Sequence, residues 1–229
     1  NSYNINIRER ELEEEDVYKR NLLFYINEET QKVSFRDAQK SDGNFYWRFT
    51  WLPSAENANK TVKGFGQLKP ANVEDGCIAV DSYSNSQGGN KYGSKACALV
   101  GRRSNLLDPD NTGKVTGMLY GRPAEKDILH RQVMLAAIYL GYQVWYEHTS
   151  DDYDGYFKDR GKTAYLGIYP LSMIDPLKKG KTERHRGTPI TPFSLTKQLD
   201  NGISYFEHHC NKIDFIEIRL YFGYELSEE

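Results

Sequence analysis

Cys77-Ile78-Ala79-Val80-Asp81 is a short apolar run that ends in an acid, and the turn-forming residues 82–93 follow it. A run of this length bounded by turn signals predicts a buried strand that delivers a carboxylate to its end. Outward from it, residues 94–102 and 115–120 predict two more strands, separated by the turn Asp108-Pro109-Asp110-Asn111-Thr112-Gly113. Three consecutive strands joined this way form a meander. Beyond Gly121-Arg122-Pro123, residues 124–140 place Ile128, Leu129, Val133, Ala136, Ala137 and Leu140 at helical spacing on one face, and Gly141 closes that helix. Residues 142–147 predict a further strand, again ending in an acid, Glu147. A short helix over 153–160, a strand over 164–169, a basic loop and a helix over 194–211 complete the order. A meander followed by alternating helices and strands is a mixed α/β domain whose helices cover the sheet.

Upstream, Arg8-Glu9-Arg10-Glu11 and Glu13-Glu14-Glu15-Asp16 read as a solvated helix or a connection. Residues 44–52, rich in aromatics, predict a strand that serves as a lid or an edge, and polar sequence then runs to Gly76 as a boundary. The expected division is an N-terminal extension or linker region packed on the core (1–75) and the main domain (76–229). A length of 229 residues suits one core with such an extension. With 38% hydrophobic residues the chain can bury a core, which excludes a disordered tail. No apolar stretch reaches the length of a membrane span, and residues 1–10 lack the order of a signal peptide, so a soluble, cytosolic protein is expected. Cys77, Cys97 and Cys210, odd in number and far apart, suit reduced thiols in core packing. The net charge of -2 shows no basic excess, so any contact with nucleic acid has to rest on local patches.

The chemistry lies where strands end. If the strands bearing Asp81 and Glu147 are neighbours, their carboxylates converge at the edge of the sheet where ligand sites gather. Hard ions such as Mg²⁺ and Mn²⁺ take carboxylate oxygens as ligands. The bland alternative is that each acid caps its strand in solvent. Lys178, Lys179 and Lys181, with Arg184, His185 and Arg186, form a basic loop between Pro176 and Pro189. Such a cluster binds phosphates without regard to sequence, unless it is a solvated loop with no partner. Arg102-Arg103 is a second, smaller candidate. Other features read as structural. His208-His209-Cys210 has no second pair at zinc-site spacing, His148 should point away from Glu147 by strand alternation, and the tyrosines between 139 and 156 pack. The chain has no Gly-x-x-x-x-Gly-Lys-Ser/Thr phosphate loop, so no ATP site is expected in it.

Val80-Asp81-Ser82-Tyr83, the Ser94-Lys95 that opens the next strand, Tyr120-Gly121-Arg122-Pro123 before an amphipathic helix, and residues 142–147 together resemble the nuclease domain of large terminases from tailed phages. The resemblance runs from about residue 76 to the end. It implies an RNase H-like mixed sheet flanked by helices, preceded by the N-terminal extension. It also implies an acidic cluster holding two Mg²⁺ or Mn²⁺ ions about 3.5–4 Å apart. Asp81 would match the first-strand aspartate that bridges both ions, and Glu147 the acid on the fourth strand. A third acid falls near the C-terminus, where Asp214 ranks first, ahead of Glu217 and of Asp151, Asp152 and Asp154. The activity implied is two-metal endonuclease cleavage of double-stranded viral DNA during genome packaging. The implied partners are that DNA, the terminase ATPase domain, the portal and the small terminase, in the host cytoplasm, with no membrane. A second reading keeps the fold but gives it an incomplete, inactive acidic site that docks to DNA or to the portal.

Overall fold

The computed structural model describes residues 20–64, 67–83, 95–107, 113–148, 153–168, 171–173, 186–189 and 191–209. Its strands are Arg20–Ile26 (β1), Val33–Asp37 (β2), Trp47–Phe49 (β3), Thr61–Gly64 (β4), Gln67–Pro70 (β5), Gly76–Asp81 (β6), Ala96–Arg102 (β7), Val115–Gly121 (β8), Gln143–His148 (β9) and Thr188–Pro189 (β10). The α-helices are Lys126–Leu140 (α1), Tyr153–Asp159 (α2) and Pro192–His209 (α3). Eight strands form one mixed sheet in the order β10-β9-β6-β7-β8-β3-β1-β2, and β4 and β5 pair as a separate hairpin.

β6, β7 and β8 are the expected antiparallel meander, with a bulge between Val100 and Gly101. α1 then carries the chain from β8 back past β6 to β9, which lies parallel to β6 on its other side. Period-two alternation sends Ile78 and Val80, Ala98 and Val100, Leu119, and Val144 and Tyr146 into one buried face. α1 lies on that face. Its interior is free of Gly and Pro, and it stops at Gly141, whose φ of 71° lets its N–H reach Ala137 O at 2.9 Å. The sequence predicted a single apolar stripe, but Ile128, placed on that stripe, is exposed, whereas His130, Gln132, Met134, Leu135 and Tyr139 are buried with the rest of it. β1 and β2 flank the helix on one side and α2 on another, so little of it meets water. Each fully buried Leu or Val there contributes about 1.5–3 kcal/mol.

The segment before residue 76 adds strands to the same sheet. β3 pairs with β8 through Trp47 opposite Leu119, and β1 pairs with β3 and β2. The expected edge or lid over 44–52 is therefore an interior strand. Trp47 and Phe49 are buried, and the Trp47 indole N–H donates to Gln132 O of α1 at 3.3 Å. The polar stretch read as a boundary carries the β4–β5 hairpin and is tied to the end of α1. Asn72 Nδ2 donates to Leu140 O at 2.8 Å, and Asn59 N–H to Tyr139 O at 2.8 Å.

One expected strand, over 164–169, is absent among the described residues. Residues 163–165 form a 3-10 turn, and the segment pairs with β9 at one bridge, between Leu166 and Val144, while Gln143 Nε2 donates to Ala164 O at 3.3 Å. Gly167 packs against the Trp145 ring, where a Cβ would come within 2.8 Å. The free edge of β9 is taken instead by Thr188–Pro189, with Thr188 opposite Glu147. Residues 1–19, with their charge runs, lie outside the described residues. No described helix is long and apolar enough to cross a membrane.

Candidate functional site

Asp81 and Glu147 meet because β6 and β9 are parallel neighbours with Val80 opposite Tyr146, which brings the next residue of each strand side by side. Asp81 is in turn opposite Cys97, and Cys97 opposite Tyr120. A single rung thus crosses five strands: Thr188, Glu147, Asp81, Cys97 and Tyr120. Alternation puts Asp81, Cys97 and Tyr120 on the face away from α1. Asp81 and Tyr120 are exposed there, and Glu147 and Cys97 are half-buried.

Charge on this rung is unbalanced. Partial burial, and then the charge of Asp81, pushes the Glu147 carboxyl above its ordinary value. Burial raises Asp81 as well. Cys97 is pushed up to about 11 by burial and by the same Asp81 charge, so it stays a neutral thiol. Two carboxylates and no cation on the rung make a place where added positive charge would be favourable.

Behind the acids, on the α1 side, lies a group of buried hydroxyls. Tyr153, the first residue of α2, is fully buried, with its ring 4.3 Å from that of His130 and 4.9 Å from that of Tyr146. Ser82 Oγ and Tyr153 Oη are both enclosed, and neither makes a hydrogen bond of standard geometry, although they lie close enough for Ser82 to favour the phenolate. Burial dominates and drives the Tyr153 phenol strongly upward. Buried polar groups are normally paired. Nothing in the sequence marked this pair, because a tyrosine that opens a short helix reads as packing.

Cations also gather along this edge. Arg122 stands 4.8 Å above the Tyr83 ring and Lys126 5.5 Å from it, while Lys95 stands 5.1 Å from the Tyr120 ring. Tyr83 is held in place by its hydroxyl, which donates to Pro123 O at 3.2 Å. Burial and the neighbouring Arg122 charge lower the pKa of Lys126.

The remaining candidates separate. Asp214, Glu217, Asp151 and Asp152 lie outside the described residues, as do Lys178, Lys179, Lys181, Arg184 and His185. Arg186 is described and half-buried, and it forms an ion pair with Asp154 at 3.7 Å, close to Thr188. Arg102 and Arg103 lie at the opposite end of the sheet, Arg102 over Trp51 at 3.9 Å and Arg103 bonded to Glu74 at 2.7 Å. They are not part of the acidic edge. The five tyrosines between 139 and 156 are all buried, as packing requires. Cys77 and Cys97 are free thiols, half-buried, and Cys210 is outside the described residues. His148 ends β9 opposite Pro189, and His208 and His209 end α3. Among the described residues, no group of three or more His, Cys, Asp or Glu is gathered as a metal site. Compared with family models, curated proteins and solved structures, the chain finds no match in any of the three.

Proposed function

We propose that this chain is a metal-dependent endonuclease that cleaves double-stranded DNA at the Asp81–Glu147 pair, in the manner of the terminase nucleases it resembles. The observation that carries the reading is the meeting of two acids, far apart in sequence, on adjoining positions of parallel strands. The order of meander, crossover helix and parallel strand supports an RNase H-like fold, since it places the first and fourth strands of that unit together.

The donor set suits hard divalent ions. Both groups are oxygen ligands, and partial burial raises both carboxyls. In this reading Asp81 and Glu147 would together hold the Mg²⁺ or Mn²⁺ ions, with Asp81 the shared ligand. Ions bound there supply Lewis acidity and an activated water to a phosphodiester. The chain's own part is to hold the two carboxylates side by side on hydrogen-bonded strands. The neutral Cys97 thiol beside them adds no competing soft ligand. Cleavage during packaging of viral DNA would set this domain beside the terminase ATPase domain, the portal and the small terminase in the host cytoplasm.

Titrating Mn²⁺ into the full chain by calorimetry, with Asp81→Asn and Glu147→Gln alongside, tests the assignment. Saturable uptake by the wild type that either substitution weakens at least tenfold is expected. No uptake by the wild type would overturn the nuclease and leave a module that binds DNA or the portal without cutting.

A further inference from the structure

We propose that Lys95, Arg122 and Lys126 form a phosphate track that leads a nucleic-acid duplex across the edge of β7 and β8 into the acid pair. The inference rests on the nuclease reading and names the surface that holds its substrate.

Three observations converge on it. First, the cations share the edge of the sheet with the acids. Lys95 leads into β7, Arg122 follows β8 and Lys126 opens α1, while Tyr83, under two of them, lies two residues beyond Asp81. Second, the cations are positioned before any ligand arrives. Tyr83 is buried and fixed to Pro123 O, and it presents its ring to both Arg122 and Lys126; Tyr120 presents its ring to Lys95. A cation resting on an aromatic face gives up less freedom when it binds. Third, Arg122 and Lys126 converge on the one Tyr83 ring, at 4.8 and 5.5 Å, so that their two charges are presented together.

Spacing favours a polyanion over a single small anion. Tyr120 is two strands away from Asp81 on the shared rung, a separation of about 10 Å at ~4.8 Å per strand. One strand of a duplex carries a phosphate about every 3.4 Å along the axis, so a phosphate at the acids puts its near neighbours within reach of these cations. Asp81 and Glu147 alone would repel that backbone, and the cations beside them supply the attraction. The track also provides, within the described fold, what the chain's net charge of -2 does not.

The test is the salt dependence of affinity for a random-sequence 20-base-pair duplex, measured with the full chain in Ca²⁺ to suppress cutting. Lys95→Gln/Arg122→Gln/Lys126→Gln should weaken binding at least tenfold at 0.1 M salt. It should also flatten log K against log[salt] by about 0.9 for each phosphate that is no longer neutralised. Lys95→Arg/Arg122→Lys/Lys126→Arg keeps the charges and should retain the wild-type slope. Lys95→Gln alone, at an exposed position, gives the same readout at about a third of the size should the triple variant fold poorly. Replacing Lys178, Lys179, Lys181 and Arg184 with Gln compares the loop that the sequence favoured. An unchanged slope in the neutral variants, with Mn²⁺ uptake intact, overturns the track and leaves the nuclease reading standing. A wild type that takes up no Mn²⁺, yet loses slope in the triple variant, overturns the nuclease reading alone.

Discussion

The two ends of β6 are built in opposite ways. At its start, around Gly76, polar groups are paired with one another. Asn72 caps the end of α1, Arg103 N–H donates to Asp75 O at 2.8 Å, the Arg103 side chain meets Glu74, and Arg102 lies on Trp51 and bonds the Tyr142 hydroxyl. A cleft of about 540 Å³ opens there, and the paired side chains Glu74, Arg102, Arg103 and Tyr142 are part of its lining. At the other end, two acids stand side by side, two buried hydroxyls lack good partners, and cations are stacked on rings near one another. One edge stabilises the fold. The other holds unfavourable arrangements that the rest of the sheet supports, which is where local rules are expected to fail when a site is present.

Four experiments bear on that contrast. The largest effect is expected at the acids. Asp81→Ala or Glu147→Ala should lower metal-dependent plasmid cleavage by about a thousandfold or more, the loss of several kcal/mol of charge stabilisation, with far-ultraviolet circular dichroism unchanged. Cleavage at the wild-type rate by both folded variants would remove the functional meaning of the contrast. Next is Gly76→Ala, whose Cβ would come 2.5 Å from Gly101 O and 2.6 Å from the Tyr142 ring. It should cost about 1–3 kcal/mol in urea unfolding and leave Mn²⁺ affinity alone.

A matched pair of Tyr→Phe substitutions sharpens the comparison further. Tyr142→Phe removes a bonded hydroxyl and should destabilise by about 1 kcal/mol, whereas Tyr153→Phe removes one without a good partner and should be neutral or stabilising by about as much. Destabilisation of equal size by both would show that the two edges do not differ in this respect. The smallest effect is on the pH dependence of stability without metal. Asp81 and Glu147 have folded-state pKa values above their ordinary ones, so the folded chain binds more protons than the unfolded chain across that interval. Stability therefore falls as pH rises from ordinary carboxylate values through the raised ones and stays lower above them. Asp81→Asn/Glu147→Gln should remove that fall. Asp42, held at about 2 by its hydrogen bond from Arg36, acts at lower pH and in the opposite sense, so it should leave the difference between the two chains unchanged.

The meander, α1 and β9 were legible because each announces itself within its own segment. The apolar run 77–80 ends at an acid, α1 carries its stripe and its closing glycine, and β9 alternates. The errors fell where an element depends on a distant partner. Residues 44–52 carry strand-forming aromatics, but whether such a strand is an edge depends on who pairs with its two sides, and here both β8 and β1 do. Residues 164–168 have strand-like composition, yet Trp145 fills the space beside Gly167 and the segment meets β9 at a single bridge. Thr188–Pro189, too short to register as a strand, takes the position next to Glu147.

Sequence by itself determined the mixed α/β class and the delivery of Asp81 and Glu147 to strand ends, because hydrophobic periodicity and turn chemistry act over a few neighbouring residues. Tertiary structure decided that these two ends adjoin and that Tyr153 is buried behind them. It also decided that Lys95, Arg122 and Lys126 share their edge while Arg102 and Arg103 sit at the far one. Strand order and register fix those relations, and they arise from pairing between segments far apart in the chain, which no local pattern encodes.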